Sequence, residues 1–317
     1  MKTWMKRIGF VLLLLLLIVA GVLAFVQFSG LPTFEAPQVD LQVEVTPERV
    51  AQGAKIAAIQ CMNCHMGSDQ RMSGAQMKDV PPEFGTIYSR NITQDKEKGI
   101  GSWSDGELLV FLRTGIRKDG SFAPVYMPKY PLLADEDIYS IIAWLRSDAP
   151  PVQPSQQEPP PTVPNFLVKA LSRTVLGPPP FPDQPVMLPD TNDQIAWGRY
   201  LAVGAYDCYN CHSLNFKTNN ILEPEKSEGF FGGGNPMLNL DGEVIMTANI
   251  TPDPSTGIGN WTQEQFLQAV KYGDAPNGNK LRYPMLAHTV LPDAEVNAIY
   301  AYLQTVPPLV HAVDRHQ

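Results

Sequence analysis

Positive charge, histidine and cysteine are all scarce in this chain of 317 residues. The 24 Lys and Arg are outnumbered by 32 Asp and Glu, giving a formal net charge of −8. This excludes nucleic acid as a partner, because phosphate binding needs a basic stripe. The acidic balance fits docking to a basic patch on another protein, and equally serves solubility. Charged residues make up 18% and hydrophobic residues 44% of the chain, globular values that exclude wholesale disorder. No nucleophile–base pair stands out, so substrate chemistry is not expected. Proline, by contrast, is plentiful and uneven: of 30 in the chain, thirteen fall within residues 149–190.

Long apolar runs are also missing, with one exception. Lys2, Lys6 and Arg7 precede an uncharged stretch from Ile8 to Phe28 that contains six consecutive leucines, Leu12 to Leu17. As a helix rising about 1.5 Å per residue, it matches a hydrocarbon core about 30 Å thick. The run is longer than the roughly 7–15 residues of a signal-peptide core, and neither a small-x-small cleavage site nor a lipid-accepting cysteine follows it. The expectation is an uncleaved anchor over residues 1–30, single-pass in the inner (cytoplasmic) membrane, with the remainder on the periplasmic side. A cleaved leader is the alternative, and it exports the same remainder.

The few cysteines form one pattern. Cys61-Met62-Asn63-Cys64-His65 and Cys208-Tyr209-Asn210-Cys211-His212 are both C-x-x-C-H, the haem c attachment signature. Two thiols one helical turn apart can each add to a haem vinyl group, and the adjacent histidine then supplies an axial nitrogen. A four-cysteine zinc ribbon would hold its pairs roughly 15–20 residues apart, whereas Cys64 and Cys208 are far more distant. Disulfides would not explain a histidine in the same place twice.

An internal repeat sets the architecture. Asn91-Ile92-Thr93 recurs as Asn249-Ile250-Thr251, an offset of 158 that holds without a gap to Leu145 and Leu303, with 17 of 55 positions identical. The cysteine pairs are offset by 147, so the second copy has eleven extra residues, which the glycine-rich stretch Phe230 to Asn235 is expected to carry as a surface loop. A low-spin haem needs a second axial ligand, and in the aligned window Met127 and Met285 form the only matched methionine pair. Met66 adjoins the proximal histidine, and Met72 and Met77 have no partner. Core filling is the alternative for any methionine. His311 and His316 lie in a tail expected to fray.

Each copy reads as three short helices: Thr46-Pro47 or Asn192-Asp193 opens the first, Ser104/Glu107 or Thr262/Gln265 caps the second, and Asp135 or Asp293 starts the third. Here the sequence resembles class I cytochromes c, in which terminal helices cross with a small residue against an aromatic. Gly53 with Trp144, and Gly198 with Tyr302, look like those pairs. The fold expectation is therefore mainly α, with two tandem class I cytochrome c domains at 46–148 and 191–310. A segment at 31–45 precedes the first, a semi-rigid Pro-rich linker at 149–190 with a short apolar helix joins them, and residues 311–317 form the tail.

More closely, C-x-x-C-H, the stretch from Asn91 to Trp103 and the region from Gly120 through Met127-Pro128 resemble the multihaem cytochrome c subunits of membrane-bound bacterial alcohol and gluconate dehydrogenases. This chain has two haem motifs where that family typically has three. The resemblance implies two covalent haems c that relay electrons in a respiratory chain between a membrane dehydrogenase or quinol-oxidising complex and an oxidase or soluble cytochrome. The expected ligands are Cys61, Cys64, His65 and Met127 for one haem, and Cys208, Cys211, His212 and Met285 for the other. The alternative is a diheme peroxidase-like enzyme with one open-coordination iron, which a high-spin ferric spectrum would reveal.

Overall fold

The computed structural model describes residues 2–314; the expected tail residue His316 lies outside them. The structure is mostly helical. α1 (Lys2–Phe28) is continuous, and its most apolar stretch has no buried residue, while its end touches the later chain at Phe25 and Gln27. It is long and apolar enough to cross a bilayer.

The first helical body holds α2 (Pro47–Gln60), α3 (Met62–His65), α4 (Asp105–Thr114) and α5 (Asp135–Arg146). Thr46 caps α2 by accepting from the Arg49 amide, and Ser104 and Glu107 close a reciprocal capping box on α4. α2 crosses α5 at Gly53, where a Cβ would overlap the Ser140 carbonyl and press on Trp144. Only glycine lets the two backbones approach that closely.

The proline-rich stretch is bound to this body rather than spanning free space. Pro151 and Val152 accept backbone hydrogen bonds from Met72 and Gln94, and Asn91 Nδ2 donates to the carbonyls of Ser155 and Gln157 at 2.8 Å each. β1 (Gly85–Thr86) pairs antiparallel with β2 (Val163–Pro164), ahead of α6 (Phe166–Thr174). The segment before α2 is likewise tied down, with Phe34 donating to the Gly120 carbonyl and packing edge-on to Phe122.

The second body repeats these contacts. α7 (Gln194–Arg199) is capped by Asp193 and runs on as a π-helical turn over Tyr200–Ala205 to α8 (Cys208–His212). α9 (Gln263–Tyr272) carries the Thr262/Gln265 capping box, and α10 (Asp293–Leu303) crosses α7 at Gly198 against Ala298 and Tyr302. From glycine to first cysteine is eight residues in the first body and ten in the second. The π turn and the left-handed Asp207 (φ 54°) absorb the difference.

Two expectations need correction. The glycine-rich stretch is not a surface loop: Phe231 is fully buried, and Gly232 to Asn235 are buried with it. The His65 carbonyl accepts from Gly74, nine residues on, and the His212 carbonyl from Gly233, twenty-one on. The extra length therefore precedes Gly233, in 3-10 turns at Phe216–Thr218 and Pro224–Lys226, and the hairpin of β3 (Pro236–Leu238) and β4 (Val244–Met246) follows. Nor does the chain fray at His311. Its Nδ1 lies 2.9 Å from the Gly232 carbonyl, and its amide donates to Thr256.

Candidate functional site

Each C-x-x-C-H lies on a one-turn helix directly after the helix that crosses its body. The four cysteines are free thiols, and among the described residues no three His, Cys, Asp or Glu side chains gather as a donor set for a bare metal ion. Cys61 is buried, Cys64 and Cys208 half-buried, and Cys211 exposed. Burial, with the neighbouring Cys64, pushes the Cys61 thiol up to about 12, and burial, with Asp79, pushes Cys64 up to about 11. The site favours a protonated, uncharged sulfur over a thiolate nucleophile.

The histidines are oriented identically. His65 Nδ1 lies 2.7 Å from the Arg90 carbonyl and His212 Nδ1 lies 2.8 Å from the Ala248 carbonyl, residues that match at the 158 offset. A neutral imidazole whose Nδ1 donates to a carbonyl carries its lone pair on Nε2, the nitrogen an axial bond to iron uses. Burial lowers the His65 pKa, which holds the ring neutral.

The two methionines occupy matching turns. The Met127 amide donates to the Pro124 carbonyl and the Met285 amide to the Arg282 carbonyl, both at 3.0 Å, and both residues are half-buried. Behind Met127, the Tyr130 amide bonds the Leu112 carbonyl, and buried Arg113 donates to the carbonyls of Tyr130 and Pro131. The aligned His288 bonds the Val270 carbonyl. Burial raises the pKa of the Tyr130 hydroxyl, with smaller contributions from nearby Cys61 and Cys64, and burial lowers that of His288, with a smaller contribution from nearby His212. The residue three positions after each methionine thus lies near its own C-x-x-C-H. The Tyr130 hydroxyl is buried and has no hydrogen-bond partner among the described residues. An unpartnered polar atom near two thiols and a tautomer-fixed histidine fits a covalently held haem.

Sequence reasoning did not foresee how near the two motifs lie to each other. Gln60, next to Cys61, donates to the Ala205 carbonyl at 3.0 Å. Asn63, between the first pair of cysteines, reaches the Tyr283 hydroxyl at 3.4 Å, and that hydroxyl donates to Asp79 at 2.5 Å. Tyr283 belongs to the turn that ends at Met285, so the methionine turn of one body abuts the cysteine loop of the other. Asp207, just before Cys208, is raised by burial to about 7. Behind the motifs, Tyr200 bonds Asp137, while Lys55 and Tyr206 both bond Glu295. The available signal was that Asp137 and Glu295 match at the 158 offset while interrupting apolar stripes.

Residues 50–148 match the family model described as cytochrome c. The fructose dehydrogenase cytochrome subunit of Gluconobacter japonicus is 32% identical over 278 residues, covering 81% of this chain and 52% of that protein. The cytochrome c subunit of the alcohol dehydrogenase (quinone) of Gluconacetobacter polyoxogenes is 27% identical over 297 residues, 90% of this chain and 60% of its own. A diheme cytochrome c-type protein of Cereibacter sphaeroides is 26% identical over 267 residues, covering 78% and 82%. The chain spans little more than half the length of the two dehydrogenase subunits.

Proposed function

From a chain that carries a cytochrome c domain at residues 50–148 and is similar to the cytochrome c subunits of membrane-bound dehydrogenases, we propose a membrane-anchored diheme electron relay. A cytochrome c domain implies covalently bound haem c, whose iron takes up and gives up one electron at a time. In this reading residues 46–148 and 191–310 are tandem haem domains, joined by the proline-rich stretch 149–190. Cys61, Cys64, His65 and Met127 hold one haem; Cys208, Cys211, His212 and Met285 hold the other. Histidine–methionine ligation raises the potential relative to two histidines and suits the high-potential end of a respiratory chain.

The carrying observation is the contact between the two motifs. Asn63 and Gln60 on one cysteine loop meet Tyr283 and Ala205 of the other body, which supports two closely spaced redox centres over two independent ones. In this reading the chain's own residues fix both imidazoles and hold both thioethers. A peroxidase with an open iron finds no support in the relatives named above. The donor is a dehydrogenase or quinol-oxidising complex, and the acceptor an oxidase or soluble cytochrome. α1 anchors the chain in the inner membrane with the haem domains on the periplasmic side.

Absorption spectroscopy of the oxidised protein, with its haem-to-protein ratio, tests the assignment. Two haems per chain are expected, with about half of the weak methionine–iron band near the red edge lost in Met127→Ala, about half in Met285→Ala, and all of it in the double variant. A high-spin haem in the wild type, or a band untouched by either substitution, overturns the ligand set.

A further inference from the structure

We infer that α6 is a membrane-surface helix whose outward face is covered by lipid, giving the haem body a second attachment to the bilayer beside α1. Asn165 caps the helix by accepting from the Val168 amide at 3.1 Å. Its side chains divide into three faces. Val168 and Ser172, four apart, are buried against the body. Lys169 and Arg173, also four apart, turn to the end of the anchor. Lys169 Nζ donates to the Gln27 carbonyl at 2.7 Å, and Arg173 donates to Ser29 Oγ at 2.8 Å and to the Gly30 carbonyl, with its guanidinium 5.7 Å from the Phe25 ring centre. Two cations thus cap the carboxyl end of α1, where carbonyls lack helical partners. The third face carries Phe166, Leu167, Ala170 and Leu171, flanked by Val163 and Val175. Phe166 is 37%, Leu167 40%, Val163 66% and Val175 74% exposed.

The occupant follows from depth. α1 has 27 residues, so at about 1.5 Å each it is roughly 40 Å long, about 10 Å more than the hydrocarbon core. The excess is the charged start, Lys2 to Arg7; the uncharged run Ile8 to Phe28 spans the core and ends at its far boundary, so Ser29 and Gly30 stand at headgroup level and α6 is fastened there and to Gln27. An apolar face held at that level meets acyl chains and headgroups, as amphipathic interfacial helices do. The chain's net charge of −8 opposes attraction to an anionic surface, so apolar insertion rather than charge holds the face down. This inference rests on the proposed anchor. Given that anchor, the second attachment stops the haem body from swivelling about α1 and sets which surface it offers to partners.

The test uses the full chain with both haems attached, in bilayer nanodiscs, and reads the collision rates of nitroxide labels with oxygen, which enriches in lipid, and with a water-soluble nickel chelate. All four native cysteines belong to C-x-x-C-H, so Leu167→Cys, Val175→Cys, Leu14→Cys and Leu240→Cys each offer one labelling site. Labels at 167 and 175 should favour oxygen severalfold, as at 14, while the label at 240 favours the chelate. If 167 and 175 behave like 240 while 14 stays in lipid, the α6 inference is overturned and the anchor stands. If 14 is also reached by the chelate, the anchor reading fails, and the α6 inference with it.

Discussion

The carboxyl group of Asp137 shows what a single buried residue imposes. It is 2% exposed, lies on α5 where that helix faces the second body, and accepts from the Tyr200 hydroxyl and from Gln52 at 2.8 Å. Burial raises its pKa, against the lowering effect of both hydrogen bonds and of Lys55; nearby Glu295 adds to the rise. The folded chain therefore binds this proton more tightly than the unfolded chain does. That stabilisation is fully present below the ordinary carboxyl value, about 3.9, and is lost as pH rises through the raised folded value. Asp137→Asn, which has no proton to lose, should flatten this part of the pH dependence. Urea midpoints measured from pH 4 to 7 would show it, and equal slopes in wild type and variant would refute the assignment. The same residue scale explains why Tyr200 and Tyr206, whose hydroxyls donate to Asp137 and Glu295, stay protonated: burial first, and then the adjacent carboxylate, push both upward.

At the scale of elements, stability concentrates where α2 crosses α5 and α7 crosses α10. A methyl group at Gly198 would overlap the Ala298 carbonyl and crowd Tyr302, whereas one at Gly177 would meet nothing within 4 Å. Gly198→Ala should therefore cost about 1–3 kcal/mol by forced separation of the helices, while Gly177→Ala stays near neutral. Denaturant unfolding of the two variants checks this, and equal midpoints would mean that the crossing yields without cost. These crossings were legible in the sequence, as were the caps at Thr46, Ser104 and Thr262 and the matched turns at Met127 and Met285. Each depends on residues close in the chain or repeated in register. The longer connection after His212 was misplaced because glycines signal a turn without saying whether it is exposed. Here a buried Phe231 holds φ 59° and the glycines beside it pack inward. The course of residues 149–190 was equally hidden. Prolines predict an extended backbone, but not that Pro151, Val152 and Ser155 would supply the carbonyls that Met72, Gln94 and Asn91 need.

For the whole molecule, the interface between the bodies is built like that of a two-fold dimer, with one patch used twice. Asp137 and Glu295 match at the 158 offset, and Lys55 and Tyr200 each stand two residues after the crossing glycine of their helix. Tyr200 of the second body bonds Asp137 of the first, and Lys55 of the first bonds Glu295 of the second. Hydrophobic packing is continuous across the same surface, where Ala134 and Leu133 share a core with Tyr200 and Leu201. Such an arrangement makes the bodies unfold together and keeps the two cysteine loops adjacent. Side chains of Lys55 and Glu295 are 16% and 10% exposed, so removing one partner strands a largely buried charge. Lys55→Ala should destabilise the chain by roughly 3 kcal/mol, toward the low end for a buried pair because some water reaches it. Loss of the shared contact should also convert one calorimetric transition into two. The double variant Lys55→Met with Glu295→Leu should recover much of the stability, because it leaves no charge unpaired. If Lys55→Ala still melts in one transition at the wild-type temperature, the pair does not hold the bodies together, and the closeness of the two motifs must rest on the Tyr200–Asp137 bond, the shared apolar packing and the contacts of Gln60, Asn63 and Tyr283.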